Sequence, residues 1–162
     1  MEIKSVMRSR GLMSLMLCGL LAGLLPAYAQ ADKEGGEFAR QIEYRQSVMN
    51  VFAWNLKPMG AMVQGKAPFD AERFAKYAHE LAVASGLDLL SGFPEDSDAG
   101  DETDALAEIW LDFEDFAQKF EDLRASARSL DQAAQSSDEN SKKAAFDKVA
   151  KSCKACHKAY RD

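Results

Sequence analysis

Apolar residues recur along most of this chain at three- and four-residue steps, the spacing that puts side chains on one face of a helix. No stretch alternates with the period of two that a half-buried strand needs. The first segment runs from about Glu37 to Val63, with Ile42, Arg45, Gln46, Met49, Phe52, Ala53, Leu56 and Met59 on one face. Pro58 lies inside this pattern and predicts a kink, because its ring removes a backbone donor. Gly65, Pro68 and Phe69 then end the helix. Asp70 is placed to cap a second helix, Ala71 to about Ser85, by accepting from the free amides of its first turn. From Gly86 to Asp101 the chain has three glycines, a proline and no regular period, which reads as an exposed acidic loop. Ile109, Phe113, Phe116, Phe120, Leu123, Ala127, Leu130 and Ala134 then form a heptad seam that must face partner helices. Ser136 to Asn140 is a polar turn in which Asp138 or Asn140 can cap a last helix reaching about Tyr160. Its inner stripe is Phe146, Val149, Ala150, Cys153, Cys156, His157 and Tyr160. Four helices with one long crossing connection predict an all-α, antiparallel four-helix bundle.

The amino terminus reads as an address. Lys4, Arg8 and Arg10 precede an apolar run from Gly11 to Leu25, and Ala27-Tyr28-Ala29 supplies the small residues a signal peptidase reads. The run is short for a membrane span, which needs about 20 residues. Cys18 comes after bulky Leu17 inside that run and reads as a small hydrophobe lost with the signal. The expected division is therefore a cleavable signal peptide, 1–29, and one domain, 30–162, exported to the periplasm with no membrane attachment afterwards. Losing Lys4, Arg8 and Arg10 leaves 17 of 20 basic residues, and losing Glu2 leaves 25 of 26 acidic ones. The formal charge becomes −8, against −6 for the full chain. Such a surface argues against a nucleic-acid partner, which would need a basic patch.

Export would normally turn a close cysteine pair into a disulfide. The histidine next to Cys156 changes that reading. Cys153-Lys154-Ala155-Cys156-His157 is the C-x-x-C-H haem attachment pattern. On a helix, positions i, i+3 and i+4 share one face, so two thiols can reach two vinyl groups at one porphyrin edge. The adjacent His157 is then placed as an axial ligand of haem iron. A thioredoxin-like redox pair would need a βαβ context, and a zinc site a fourth ligand. The only other histidine, His79, lies between charged Lys76 and Glu80 and reads as a solvated surface residue.

With Cys-Lys-Ala-Cys-His-Lys-Ala-Tyr-Arg at 153–161, close to the carboxyl end, the chain resembles the class II c-type cytochromes, and cytochrome c′ most closely. Glu43-Tyr44-Arg45-Gln46-Ser47-Val48-Met49, Met59-Gly60-Ala61-Met62-Val63-Gln64-Gly65-Lys66 and Glu108-Ile109-Trp110 extend the resemblance over residues 37–161. Cytochrome c′ is itself a standard example of the four-helix bundle, so fold and family are not independent readings. The resemblance implies one covalent haem c, with thioethers to Cys153 and Cys156 and the proximal bond from His157. It places Arg45 and Gln46 beside the haem propionates, Arg161 near the proximal histidine and Met49 at the distal position. It also implies pairing of two chains through the first two helices, where Phe74, Tyr77 and Leu81 form a strip that could face the core or a partner.

Met49 admits two functions, and the sequence leaves both open. If Met49 only crowds the iron, the haem is five-coordinate, suited to one-electron chemistry and to binding nitric oxide or carbon monoxide. If Met49 ligates, the chain is a low-spin electron carrier serving other exported redox proteins. An enzyme such as a peroxidase would need a distal acid–base group, and the first helix has no histidine near Met49. Trp54, Trp110, Phe113, Phe116 and Phe120 are expected in the core, some of them walling the haem.

Overall fold

The computed structural model describes residues 36–98 and 103–162. The proposed signal peptide lies outside the described residues. No helix among them is long and apolar enough to cross a membrane.

Four long helices make the bundle: α1 (Ala39–Val63), α2 (Ala71–Ala84), α4 (Phe113–Ala134) and α5 (Glu139–Tyr160), with a single turn, α3 (Glu108–Leu111), ahead of α4. Among the described residues there is no strand, only an isolated bridge between Ala105 and Arg161. α1 continues through Pro58. It ends in a Schellman motif, where Gly65 takes a φ of 69° that costs glycine little. The amides of Gly65 and Lys66 donate there to the carbonyls of Met62 and Ala61. Asp70 caps α2 by accepting from the Arg73 amide at 3.0 Å. Asp138, and not Asn140, caps α5, accepting from the amides of Asn140 and Ser141.

The helices pack in a ring, α1 on α2, α2 on α4 and α4 on α5. Phe74, Ala78, Leu81, Ala127, Leu130 and Val149 are fully enclosed at its centre. Phe74 and Leu81 therefore face the core, one of the two alternatives open for that strip, while Tyr77 is only half-buried. Of the neighbouring pairs in the ring, α1 and α5 touch least. At one end Phe146 lies over Gly60, where a Cβ would come within 3.4 Å of the ring. Toward the other end, residues 45–56 of α1 and 152–161 of α5 line one cavity. That register, with Gly60 beside Phe146 and earlier residues beside later ones, is antiparallel.

Three expectations need correction. The seam beginning at Ile109 is not one helix: Asp112 leaves helical geometry at φ −141°, and its carboxylate accepts from the Asp115 amide to start α4 afresh. Phe113 is consequently 39% exposed. Trp54 is 72% exposed and Ala150 is exposed, so neither belongs to the core. The connector is not merely an exposed loop. It holds a 3-10 turn, Leu89–Gly92, and buries Leu89, Phe93 and Ser97, because bonds from α1 draw it down onto the bundle.

Candidate functional site

The least-packed side of the ring encloses a cavity of about 470 Å³, within the roughly 300–1,000 Å³ typical of sites for small molecules and cofactors. α1 supplies Arg45, Gln46, Met49, Phe52, Ala53 and Leu56, and α5 supplies Cys153, Cys156, His157, Tyr160 and Arg161. α4 adds Phe116, Lys119, Phe120 and Leu123, while the connector and α3 add Leu89, Phe93 and Ile109. All seven site residues read from the sequence thus reach one cavity, though they come from chain segments about a hundred residues apart. The walls are mostly aliphatic and aromatic, which lets them exclude water from whatever occupies the space.

Cys153 and Cys156 are half-buried, free of any disulfide, and lie one helical turn apart on the cavity side of α5. Burial pushes both thiols above the ordinary cysteine value, and for Cys153 the neighbouring Cys156 adds to it. Both therefore rest as neutral S–H groups at neutral pH. His157 is held below its ordinary value, first by desolvation and then by the positive charge of Arg161. The neutral imidazole that results is the form able to donate a lone pair to a metal.

The cations around this space are tethered. Arg161, at the C-cap of α5, donates from Nε and one terminal nitrogen to Asp104 Oδ2, at 3.1 and 2.8 Å. The strap before α3 is pinned there too, since the Leu106 amide donates to the Tyr160 carbonyl and the Asp162 amide to the Asp104 carbonyl. Lys119 pairs with Asp115 Oδ2 at 3.1 Å, and the Tyr160 hydroxyl donates to the same oxygen at 2.6 Å. Burial and that bond hold the Tyr160 phenol well above its usual range. Arg45 is 3% exposed. Its two terminal nitrogens donate to the Gly92 carbonyl, to the hydroxyl and carbonyl of Ser97, and to the Thr103 hydroxyl, at 2.6–3.1 Å. Its plane also lies 4.6 Å from the centre of the Phe93 ring. Burial lowers the Arg45 pKa and Asp98 opposes the shift, while the four hydrogen bonds compensate the buried charge.

The donor set fits a covalently attached haem. Two neutral thiols at i and i+3 and an imidazole at i+4 edge an apolar cavity, and Arg45, Lys119 and Arg161 line the same space, where a porphyrin's carboxylates would meet cations. Sequence reasoning missed Asp104, Asp115 and Lys119, which hold these groups in place. Nothing local could have marked them as site residues, because the groups they steady, Arg161 and Tyr160, are distant along the chain. His79 is exposed and meets Asp131 at 3.2 Å, away from the cavity-lining set, as its charged neighbours suggest.

The cytochrome c′ family model matches residues 40–161. The cytochrome c′ of Halomonas halodenitrificans is 41% identical over 125 residues, covering 74% of this chain and 94% of that protein. Among solved structures, cytochrome c prime from Shewanella frigidimarina superposes with a TM-score of 0.74 at 45% identity, covering 78% of this chain and 98% of that one. The nitric oxide complex of a variant of cytochrome c prime from Alcaligenes xylosoxidans gives a TM-score of 0.68 at 34% identity, covering 80% and 99%.

Proposed function

Because the chain belongs to the cytochrome c′ family and carries one covalent haem c, we propose that it is a periplasmic gas-binding and one-electron haem protein whose iron is five-coordinate. Cys153 and Cys156 would hold the haem as thioethers, the S–H of each adding across one vinyl group with no by-product. His157 would supply a nitrogen to the iron, Gln46 and Arg161 would face the haem carboxylates and the proximal side, and Arg45, its terminal nitrogens held by the connector, would offer the carboxylates its charge. The haem itself supplies an iron that changes oxidation state by one electron and accepts diatomic ligands.

The observation that carries this reading is the chemistry of the α1 wall. Met49, Phe52, Ala53 and Leu56 line the cavity without an N–H or O–H group among their side chains. Gln46 and Asn50 also line the cavity from α1, beside Arg45, but are largely turned to solvent. A ligand that needs a hydrogen bond to hold partial negative charge, as dioxygen does, gets none from these four side chains. Nitric oxide and carbon monoxide need no such bond. The nitric oxide complex solved for the Alcaligenes protein supports the same chemistry for this one.

A second reading rests on one feature: Met49 is the only methionine among the residues lining the cavity. If its sulfur binds the iron, the protein is a low-spin electron carrier closed to gases. Absorption spectra of the purified holoprotein, oxidised and then reduced, separate the two. The five-coordinate reading expects broad high-spin bands and no sharply split α and β bands on reduction. Sharp low-spin bands in the reduced protein would replace it with the Met49-ligated carrier.

A further inference from the structure

Two large apolar side chains stand in water beside the cavity wall. Leu111, the last residue of α3, is 83% exposed, and Phe113, the first of α4, is 39% exposed. The helix break at Asp112 separates them and releases Phe113 from the core seam. The Phe113 ring packs against Phe116 with centroids 5.8 Å apart, and Phe116 lines the haem cavity. One aromatic ring therefore lies between this surface and the site.

Scattered apolar residues on a surface are ordinary; the charges around this pair are not. From Thr103 to Gln118 the chain carries five carboxylates and no lysine or arginine. Asp104 is committed to Arg161, and Asp115 to Lys119 and Tyr160. Glu108 and Glu114 remain, together with Asp112, whose carboxylate also caps α4; all three are exposed and within three residues of Leu111 or Phe113. An apolar centre with a charged rim is the anatomy of a contact surface, and a rim of one sign steers association with the opposite sign.

We propose that Leu111 and Phe113, with the exposed carboxylates Glu108, Asp112 and Glu114 beside them in the chain, form the docking surface for a redox protein whose own face is apolar at its centre and rimmed by lysine and arginine. The proposal rests on the reading of this protein as a one-electron haem protein. The exchange is of a single electron, the partner being reduced as this protein is oxidised or the reverse, with no bond made or broken. A second copy of this chain is a poorer occupant, because a two-fold contact would press the same carboxylates together. An anionic membrane surface would be repelled in the same way.

The test uses the holoprotein, reduced, with a ferric lysine-rimmed small cytochrome c as the probe and stopped-flow absorbance as the readout. Glu108→Gln/Asp112→Asn/Glu114→Gln is compared with Glu72→Gln/Asp122→Asn/Asp147→Asn, which removes the same charge from exposed sites elsewhere. The expected result is a fall of about tenfold in the second-order rate at low salt for the first variant, in the range that steering supplies. Its salt dependence should flatten, with an unchanged haem spectrum, while the second variant stays close to the parent. Equal losses in both variants, or none in the first, would overturn the proposal. So would a dimer in sedimentation that Leu111→Ser splits, since the face would then belong to a second copy. Oxidation by uncharged benzoquinone separates the underlying reading: a reduced holoprotein that fails even there is not a one-electron protein, and the docking surface falls with it.

Discussion

Met49 is half-buried on α1 and lines the cavity that also takes His157 from α5. In the five-coordinate reading its side chain obstructs the iron without binding it. A group that must move aside adds to the barrier of ligand entry, and each 1.36 kcal/mol of barrier is a factor of about ten in rate. Met49→Ala is therefore expected to speed carbon monoxide binding to the reduced holoprotein by about tenfold or more, measured by flash photolysis. Unchanged kinetics would mean that Met49 does not gate the site. The attachment residues were legible at this scale because Cys153, Cys156 and His157 owe their common face to helical geometry alone. Arg45 was legible as a position on the α1 stripe and, through the family resemblance, as a residue beside the haem, but not by its bonds. Its four acceptors come from residues 92 to 103, and no pattern within α1 announces them.

Helix ends were readable from the chain to within about two residues, because capping is local. Asp138 illustrates the physics. The Ser141 hydroxyl and the amides of Asn140 and Ser141 lower its pKa by stabilising the carboxylate. A carboxylate whose folded pKa is depressed contributes stability above its unfolded value, about 3.9, and loses it as pH falls through the lower folded value. Asp138→Ala should accordingly lower the thermal midpoint at neutral pH. The gap to the parent should narrow as pH falls from about 4. A difference that persists undiminished in acid would show that something other than the charged cap holds this end of α5. The break at Asp112 was the element-scale failure. The heptad pattern runs through it, and only the cap on Asp115 reveals that the helix restarts.

At the scale of the molecule, Arg45 joins parts that the chain keeps apart. It fastens the connector to α1 while also lining the cavity, so one buried guanidinium sets the position of Phe93, against which it stacks. Gly92 shows how close the contact is: a Cβ there would come within 3.0 Å of Arg45 Cβ. Arg45→Met keeps much of the side chain's length and removes every donor, leaving buried acceptors unpaired at about 1–3 kcal/mol each. Acceptors that regain water when the connector loosens reduce that sum, so a loss of at least about 2 kcal/mol in urea unfolding is expected. Early proteolysis between residues 86 and 98 of the native protein should accompany it. A variant as stable and as resistant as the parent would show that the connector is held by its apolar residues alone.

Local pattern was enough for the helical class, the caps, the attachment motif on one face of α5 and the family resemblance that the motif anchors. Each of these depends on residues within a turn or two of one another. How the ring of helices leaves a cavity between α1 and α5, and which charges hold its walls, came from packing. Asp104 with Arg161, Asp115 with Tyr160, and Arg45 with the connector are meetings between segments with no common period. Exposure was settled there as well. Trp54 and Phe113 were expected in the core, yet both reach solvent. Whether a face is covered depends on the neighbour that packs against it, and a one-dimensional pattern does not contain the neighbour.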